Sequence, residues 1–552
     1  MMPKAQIKFF IFFCQQKKVF LETLLNNPVL RRQRMKKLIS TGGLLFFCFN
    51  LLFAQQQSPD QIRLTLNDCL IKALENNFDI LVEVLTPEIS EFIRRGYREK
   101  FLPRLSFGYL NQNTYSLGTW GIEGATINSK SDEYSMSLTQ ELLTGGELTL
   151  SLSNSMTDTT RNYPLVDPSY YSTLRLDFSQ PLLKNFGPKI NTRDIKKAKN
   201  QWDISVYGLK STVIQKVYEV EEAYWSLVRA VENMKVREYS LEKSKERLKK
   251  TREAARIGIN TAIDVLSSET DAASGESSVL ATKSQVDMLE ERLKKVINLH
   301  SEEKGLFKSI LPLDRPAVAK KEITFDEALK IALEQRPELA SKQKEIENSS
   351  IDVSYFKNQL LPQLDLRLQL WYPGQSGLRY FYLDDNPLTG QVIGTIEGSR
   401  GDSLKDVFNW KYDNWQIRLD LNLPFANFLS RASLARARTE KQQKLLENDR
   451  ELKSIYYEIV EILKELKNNE SSLDASVRYR QLMERKLEAE EERYRLGLID
   501  SDWLFQFQER LVQARTGEIG AIIDYKISVA KLEKILGTSL KAKNLKFRSF
   551  DF

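Results

Sequence analysis

Residues 191–258 read NTRDIKKAKNQWDISVYGLKSTVIQKVYEVEEAYWSLVRAVENMKVREYSLEKSKERLKKTREAARIG. Within this stretch Val206, Val213, Val220, Leu227, Met234, Leu241 and Leu248 recur at every seventh position, and Val217, Tyr224 and Val231 keep the same step four residues out of phase. No proline falls between Pro188 and Pro312. Apolar residues spaced on average 3.5 apart, with Lys, Arg and Glu between them, specify a supercoiled helix rather than a strand. At about 1.5 Å per residue it would run roughly 100 Å, too long for an ordinary globular helix. Taken alone, the pattern also fits a solvated coiled-coil stalk.

The pattern occurs twice. At an offset of 239, Val206, Val213, Val220, Leu227 and Met234 fall on Leu445, Leu452, Ile459, Leu466 and Leu473, and Gly258 falls on Gly497. A second match, at an offset of 259, aligns residues 64–75 (LTLNDCLIKALE) with residues 323–334 (ITFDEALKIALE), and Leu102-Pro103 with Leu361-Pro362. The two offsets differ because the first copy carries twenty extra residues between its Leu-Pro and its long helix. A repeat of this length organises the whole chain. The expected parse is a signal peptide over 1–54, a first repeat over 55–300, a connector over 301–322, a second repeat over 323–540 and a tail over 541–552. Each repeat should contain a first helix (67–100 and 326–359) ended by its Leu-Pro. Strands then follow (about 104–181 and 363–424), then the long helix, a glycine turn and a short helix (262–299 and 502–538). The two short helices of each copy together match the long one, so they could stack end to end beside it.

The intervening segments alternate. Leu105/Phe107/Tyr109, Tyr134/Met136/Leu138, Leu148/Leu150/Leu152 and Leu174/Leu176/Phe178 stand in the first copy, Leu364/Leu366/Leu368/Leu370 and Trp415/Ile417/Leu419/Leu421/Leu423 in the second. Asp365, Arg367, Gln369, Gln416, Arg418 and Asp420 sit between the apolar positions of the second copy. Such two-faced strands suit either a soluble sandwich or a membrane barrel with lipid outside and water inside. Strands of about ten residues behind an export signal favour the barrel. Tyr109, Trp371, Tyr372, Tyr380, Trp410 and Trp415, near the strand ends, suit interfacial girdles or hairpin packing. Six strands in one chain cannot close a wide barrel; several copies in a ring can, and such a ring removes every sheet edge.

The net charge of +7 is carried by the first 54 residues, where nine basic residues oppose one acid. The remainder is nearly neutral, so its charge does not support a basic nucleic-acid surface. Lys36 and Lys37, an apolar run from Leu44 to Phe53 and Ala54 read as a secretory signal, with Met35 an alternative start. Cys14 and Cys48 would leave with it, and Cys69 remains as a small buried side chain. His300 is the only histidine. Histidine-dependent triads and multi-histidine metal sites are therefore disfavoured, no glycine-rich phosphate loop precedes a helix, and neither enzyme activity nor a cofactor is expected.

The duplicated Leu/Ile-Thr-x-x-(Asp/Glu)-x-Leu-x-x-Ala-Leu opening, the Leu-Pro strand entries, the strand exits Ser179-Gln180-Pro181-Leu182-Leu183 and Asn422-Leu423-Pro424-Phe425, and the turns Arg256-Ile257-Gly258-Ile259 and Tyr494-Arg495-Leu496-Gly497-Leu498 together resemble the TolC family of outer-membrane efflux proteins over about residues 60–540. The resemblance implies an α+β membrane protein of internally duplicated chains. Long antiparallel coiled-coil helices would form an α-barrel reaching into the periplasm, and protomers of a homotrimer would share a β-barrel in outer-membrane lipid. Family members usually contribute four strands each; the extra twenty residues, turning at Thr144-Gly145-Gly146-Glu147, read as one additional hairpin and suggest six. The implied partners are a periplasmic adaptor (membrane fusion protein) and an inner-membrane pump. Arg256, Gly258, Ile259 and Asn260 in one tip, with Arg495, Gly497, Leu498 and Ile499 in the other, would meet the adaptor. The bland alternative is glycines that cap helices and apolar residues that pack locally. Asp264, with Asp500 and Asp502 from the second copy, would ring the periplasmic aperture. The position equivalent to Asp264 is Trp503, which would make the constriction partly hydrophobic, and Asp500 could instead be an N-cap. The function expected is a passive gated duct of tripartite efflux or type I secretion; the alternatives are a periplasmic coiled-coil adaptor or scaffold, and an energy-independent porin.

Overall fold

The computed structural model describes residues 61–117, 126–299, 309–315 and 320–545. The expected signal segment, His300 and most of the connector lie outside the described residues. The chain divides into two units. One, Met1–Ile62 with Phe307–Ser309, lies almost wholly outside the described residues; the other, Arg63–Leu306 with Ile310–Phe552, holds all the helices among the described residues and the large sheet. The first copy runs through strand β1 (Gln61–Leu64), helices α1 (Leu66–Asn76) and α2 (Phe78–Glu99), and strands β2 (Arg104–Leu117), β3 (Thr126–Glu141), β4 (Glu147–Thr159) and β5 (Val166–Pro181). It closes with a short α3 (Pro188–Asn191), α4 (Arg193–Arg256) and α5 (Ala262–Ile297). After β6 (Ser309–Pro312) the second copy gives α6 (Phe325–Gln335), α7 (Pro337–Asn358), β7 (Gln363–Tyr382), β8 (Val392–Ile396), α8 (Arg400–Phe408), β9 (Asn414–Asn422), α9 (Phe428–Arg495), α10 (Ser501–Ile535) and α11 (Ser539–Ala542).

The two long helices are α4, of 64 residues, and α9, of 68, each roughly 100 Å long. The first helix of each copy, expected to be continuous, is broken in two. In the first copy Asn77 accepts from the amides of Asp79 and Ile80 and so starts α2 afresh; in the second, Pro337 opens α7 and its ring forces the same break. Thr65 and Thr324, one repeat apart, both form capping boxes, with Asp68 and Glu327 respectively.

Beside α4 the short helices meet end to end. Asn77 donates to the carbonyl of Val296 at 2.8 Å, and Asn298 donates to that of Asn76 at 2.7 Å, so the start of α2 is tied to the end of α5. In the second copy Lys541 reaches Gln335 at 2.7 Å across the matching joint. The core lies at this level. Val213, Val217, Val220, Tyr224, Leu227 and Val231 of α4 are buried, as are Ile455, Ile459, Ile462 and Leu466 of α9, with Tyr525 and Leu532 of α10 packed against the latter. The heptad seam is thus driest at mid-height; nearer the sheet Leu445 is exposed, and nearer the tip Met234, Leu241 and Leu248 are half-buried. Cys69 is buried here too, its thiol pushed up to about 12, chiefly by burial.

Segments outside the repeats grip the same level. The hydroxyl of Tyr224 donates to Asp314 at 2.7 Å, and Asp314 accepts the amide of Leu66 at 2.7 Å. Lys543, beyond α11, pairs with the buried Glu221 of α4 at 3.0 Å and lies 3.6 Å from Glu533 of α10. Lys321 takes the other oxygen of Glu533 at 3.1 Å.

The large sheet is open, in the order β2-β3-β4-β5-β7, with β9 and β8 side by side on the outer edge of β7. β9 pairs with Gln363–Trp371 and β8 with Arg379–Tyr382. The extra hairpin is part of this sheet, β3 joining β4 through a turn in which Gly145 has a φ of +91°. All six expected strands are present; β8 is an addition that its five residues were too short to announce. Register aligns the apolar rows. Phe107 faces Met136, Met136 faces Leu152, Leu152 faces Leu174, Leu174 faces Tyr372, and Leu370 faces Trp415. The opposite face is polar, with Ser151 opposite Arg175 and Asp177 opposite Gln369. Trp371 falls on the polar face, 6.0 Å beneath the Arg175 guanidinium, so it does not join a lipid-facing girdle as expected.

Burial holds the Glu221 carboxyl above its ordinary 4.5, with Lys543 acting against it. A raised carboxyl favours folding below the ordinary value and loses that contribution as pH rises through the folded one, where the charge then depends on Lys543. Replacing Lys543 by Met should therefore lower stability at pH 7 by about 3 kcal/mol, the cost of a buried charge left alone. The deficit should shrink as the pH falls and Glu221 takes up its proton. Urea midpoints of wild type and K543M across this range test it, and a pH-independent difference would contradict it.

Candidate functional site

The tips are built by helix ends. After α4 the amide of Gly258 donates to Ala255 and that of Ile259 to Ala254, at 3.1 and 3.0 Å; after α9 Gly497 donates to Tyr494 and Leu498 to Arg493, at 3.0 and 2.9 Å. This double hydrogen bond is the Schellman closure, and it needs a left-handed residue; Gly258 and Gly497 supply it at φ +78° and +72°. In such closures the residue after the glycine commonly packs on the third residue from the helix end. Here those residues are Ala254 and Arg493, which offer little apolar cover, and Ile259 and Leu498 are 72% and 65% exposed. Ile257, Ile263 and Leu496 are exposed around them, as are Arg256 and Arg495, the latter held by Glu492 at 3.1 Å; Asn260 and Ile499 are half-buried. The glycines do cap the helices, but the apolar residues do not pack locally.

The aspartates past the tips have local work. Asp264 accepts from the amide of Thr261 at 2.7 Å and from its hydroxyl at 2.9 Å, completing a capping box at the start of α5. Asp500 is the N-cap of α10 and accepts from the amide of Trp503 at 2.7 Å. The alternative reading of Asp500 as a cap is therefore correct at the level of geometry. Each is placed at the positive end of a helix dipole, where a carboxylate is stabilised. The side chain of Asp502 lies outside the described residues. Trp503 stands edge-on to Phe507 at 5.7 Å and is 46% exposed.

Below mid-height polar contacts join α4, α9 and α10, and periodicity gave no notice of them. Arg237 of α4 reaches Glu509 of α10 at 3.3 Å, Ser240 reaches the other oxygen of Glu509 at 3.3 Å, and the Arg247 guanidinium stacks 4.5 Å over Phe505. Arg480 of α9 holds Glu518 of α10 at 2.7 Å. Ion pairs and a ring contact join the copies above as well, Arg193 and Lys197 of α4 meeting Asp352 of α7 at 2.6 and 2.7 Å with Arg193 4.4 Å over Tyr355, so the dry stretch of α4 lies between two polar ones. Among the described residues no group of three His, Cys, Asp or Glu could hold a metal ion, and no helix is long and apolar enough to cross a membrane.

No protein-family model matches the chain, and no curated protein matches it either. Solved structures do. The CmeC outer membrane channel of Campylobacter jejuni superposes with a TM-score of 0.61 at 16% identity, covering 88% of this chain and 90% of that one. The open state of the Neisseria gonorrhoeae MtrE outer membrane channel gives 0.57 at 16%, covering 86% and 89%. The outer membrane protein VceC of Vibrio cholerae gives 0.58 at 14%, covering 86% and 96%. The chain therefore has the fold of the TolC-type outer-membrane channels, which its repeat motifs resemble.

Because both tip glycines are left-handed, Gly258→Val and Gly497→Val should each cost about 1–2 kcal/mol of local stability. Asp500→Ala should cost about 1 kcal/mol through loss of the cap. Amide hydrogen exchange at Ile259, Leu498 and Trp503 reads the fraying directly; unchanged protection would show that the closures carry no weight.

Proposed function

We propose that this chain is the protomer of a passive, gated export duct that crosses the outer membrane and reaches into the periplasm. One observation carries the reading: a sheet with a continuous exposed apolar face and a polar reverse, open at both edges, stands on a helical wall that is likewise open at both edges. From Leu364 to Tyr372 the apolar row of β7 runs about 27 Å along the strand, or roughly 20 Å when tilted as in a barrel, close to the ~25 Å band of outer-membrane barrels. The wall runs α2–α4–α7–α9 above mid-height and α5–α4–α10–α9 below, leaving α2, α5 and α9 as its free sides. The α2 side presents Val82, Leu85, Ile89 and Phe92 to solvent, and the α9 side presents Leu446 and Tyr457.

Copies arranged in a ring cover these sides. β2, of fourteen residues, is one edge offered to the next copy, and β9 and β8, set apart along β7, form the other. Three such protomers would close a barrel with the apolar face in lipid and the polar face towards water. Ile259 and Leu498 are the residues that a periplasmic adaptor would cover, and an inner-membrane pump would deliver the cargo behind it. Asp264, Asp500, Asp502 and Trp503 would line the aperture, the caps holding the carboxylates at fixed heights. Opening would break the polar contacts of Arg237 and Arg247 while the dry core above stays packed. No bond chemistry is required of the chain.

The detergent-extracted protein should be a trimer of low conductance in planar bilayers. Conductance should rise on replacing Asp264 and Trp503 by Ala, and separately on Arg237→Ala. A water-soluble monomer or dimer that is silent in bilayers would leave the scaffold reading. Ile259→Asp with Leu498→Asp should abolish retention by the adaptor without altering the trimer.

A further inference from the structure

The apolar face of the sheet is not bare to its end. Above the row of Leu152, Leu174 and Tyr372 comes a polar row, Asn154, Ser172 and Gly374. Helix α8 lies across it. Ser403 of α8 is buried and 2.7 Å from the hydroxyl of Ser172, which accepts from Asn154 at 2.6 Å. Gly374 allows the approach: a Cβ there would stand 2.0 Å from the carbonyl oxygen of Ser403. Phe408 at the end of α8, and Trp410 and Tyr412 after it, are all exposed, with Trp410 edge-on to Tyr372 at 4.2 Å. Between the side of α8 and strands β2 and β3 this leaves a groove of about 580 Å³, within the usual range of ligand sites. Phe107, Tyr109, Tyr134, Met136, Leu152 and Leu404 line it.

We propose that this groove holds one acyl chain of a phosphate-bearing membrane lipid, its headgroup at the level of α8. The proposal rests on the reading of the apolar face as lipid-facing. The lining residues Phe107, Met136 and Leu152 belong to the exposed apolar rows of the sheet, so an occupant comes from the same medium as those rows contact. Its α8 end is polar and fixed. Arg400 is tied to Asp132 at 2.8 Å and stacked over the rings of Tyr134 and Tyr170 at 5.1 and 5.7 Å. A guanidinium held in this way is pre-organised, and its remaining donors match a phosphate. A soluble peptide or a second copy fits less well: β2 is the edge strand, but a second copy would pair with its backbone in the plane of the sheet, whereas the groove lies on the apolar face.

The test uses the full-length protein in phosphatidylethanolamine/phosphatidylglycerol vesicles doped with a phosphatidylethanolamine that carries a diazirine in mid-chain. After photolysis, adducts are mapped on 104–117 and 126–141 and, as the reference for ordinary bilayer contact, on 414–422. Groove residues should be labelled more heavily than β9. Leu404→Trp, which fills the groove from α8, should cut groove labelling about tenfold, equivalent to ~1.4 kcal/mol, and leave β9 unchanged. Met136→Trp fills it from the opposite wall and should do the same should the first variant fold poorly. Labelling of β9 with none in excess in the groove, or groove labelling that survives both variants, overturns the lipid site and leaves the duct intact. No labelling on either overturns the lipid-facing reading and the site with it.

Discussion

Everything above and below hangs on the joint at mid-height, where two short helices must meet end to end beside one long one. A 64-residue helix cannot be covered on one side by a single partner of 22 or 36 residues. It needs two, and their facing ends expose unpaired amides and carbonyls. Asn77 and Asn298 answer this with side-chain amides that close the gap from both directions. The joint sits against the driest part of the heptad seam, so the backbone ends are satisfied where water is excluded. Lys543, Lys321 and Asp314 then bind the same level from outside the repeats.

A dry middle separates two polar stretches of the wall. Above it, Arg193 and Lys197 hold Asp352 beneath a sheet whose apolar rows align across five strand pairings. Below it, Arg237, Arg247 and Arg480 join the helices through ion pairs and a ring contact. Half-exposed polar contacts of this kind are worth little individually and are readily exchanged for water, whereas buried apolar packing is not. A wall built in this way can part at its tip end while its dry middle stays packed, as the proposed gating would require.

The caps at the tips show how one residue meets a local need and stays available for another. Asp264 and Asp500 sit where they do because helix starts need acceptors. The aperture charge proposed for them and the cap would be the same carboxylate seen from two sides. Gly258 and Gly497 likewise end the helices and, because Ala254 and Arg493 give no apolar cover, leave Ile259 and Leu498 outward.

Much of this was legible in the residue order. The 3.5-residue and two-residue periods identified long helices and two-faced strands, and the matched offsets placed Thr65 with Thr324 and Gly258 with Gly497. These are local signals: a period, a cap or a left-handed turn depends on neighbours a few positions away. The break at Asn77 was less visible than that at Arg336-Pro337, because an asparagine interrupts a helix only when its side chain turns back to cap. What only the tertiary structure decided involves residues far apart in sequence. It placed Lys543 on Glu221, put Trp371 on the polar face, divided the edge of β7 between β9 and β8, and laid α8 across Ser172 and Gly374. No period encodes such contacts, since each is settled by whichever distant group satisfies a buried charge, a hydrogen bond or a vacant glycine once the chain has packed.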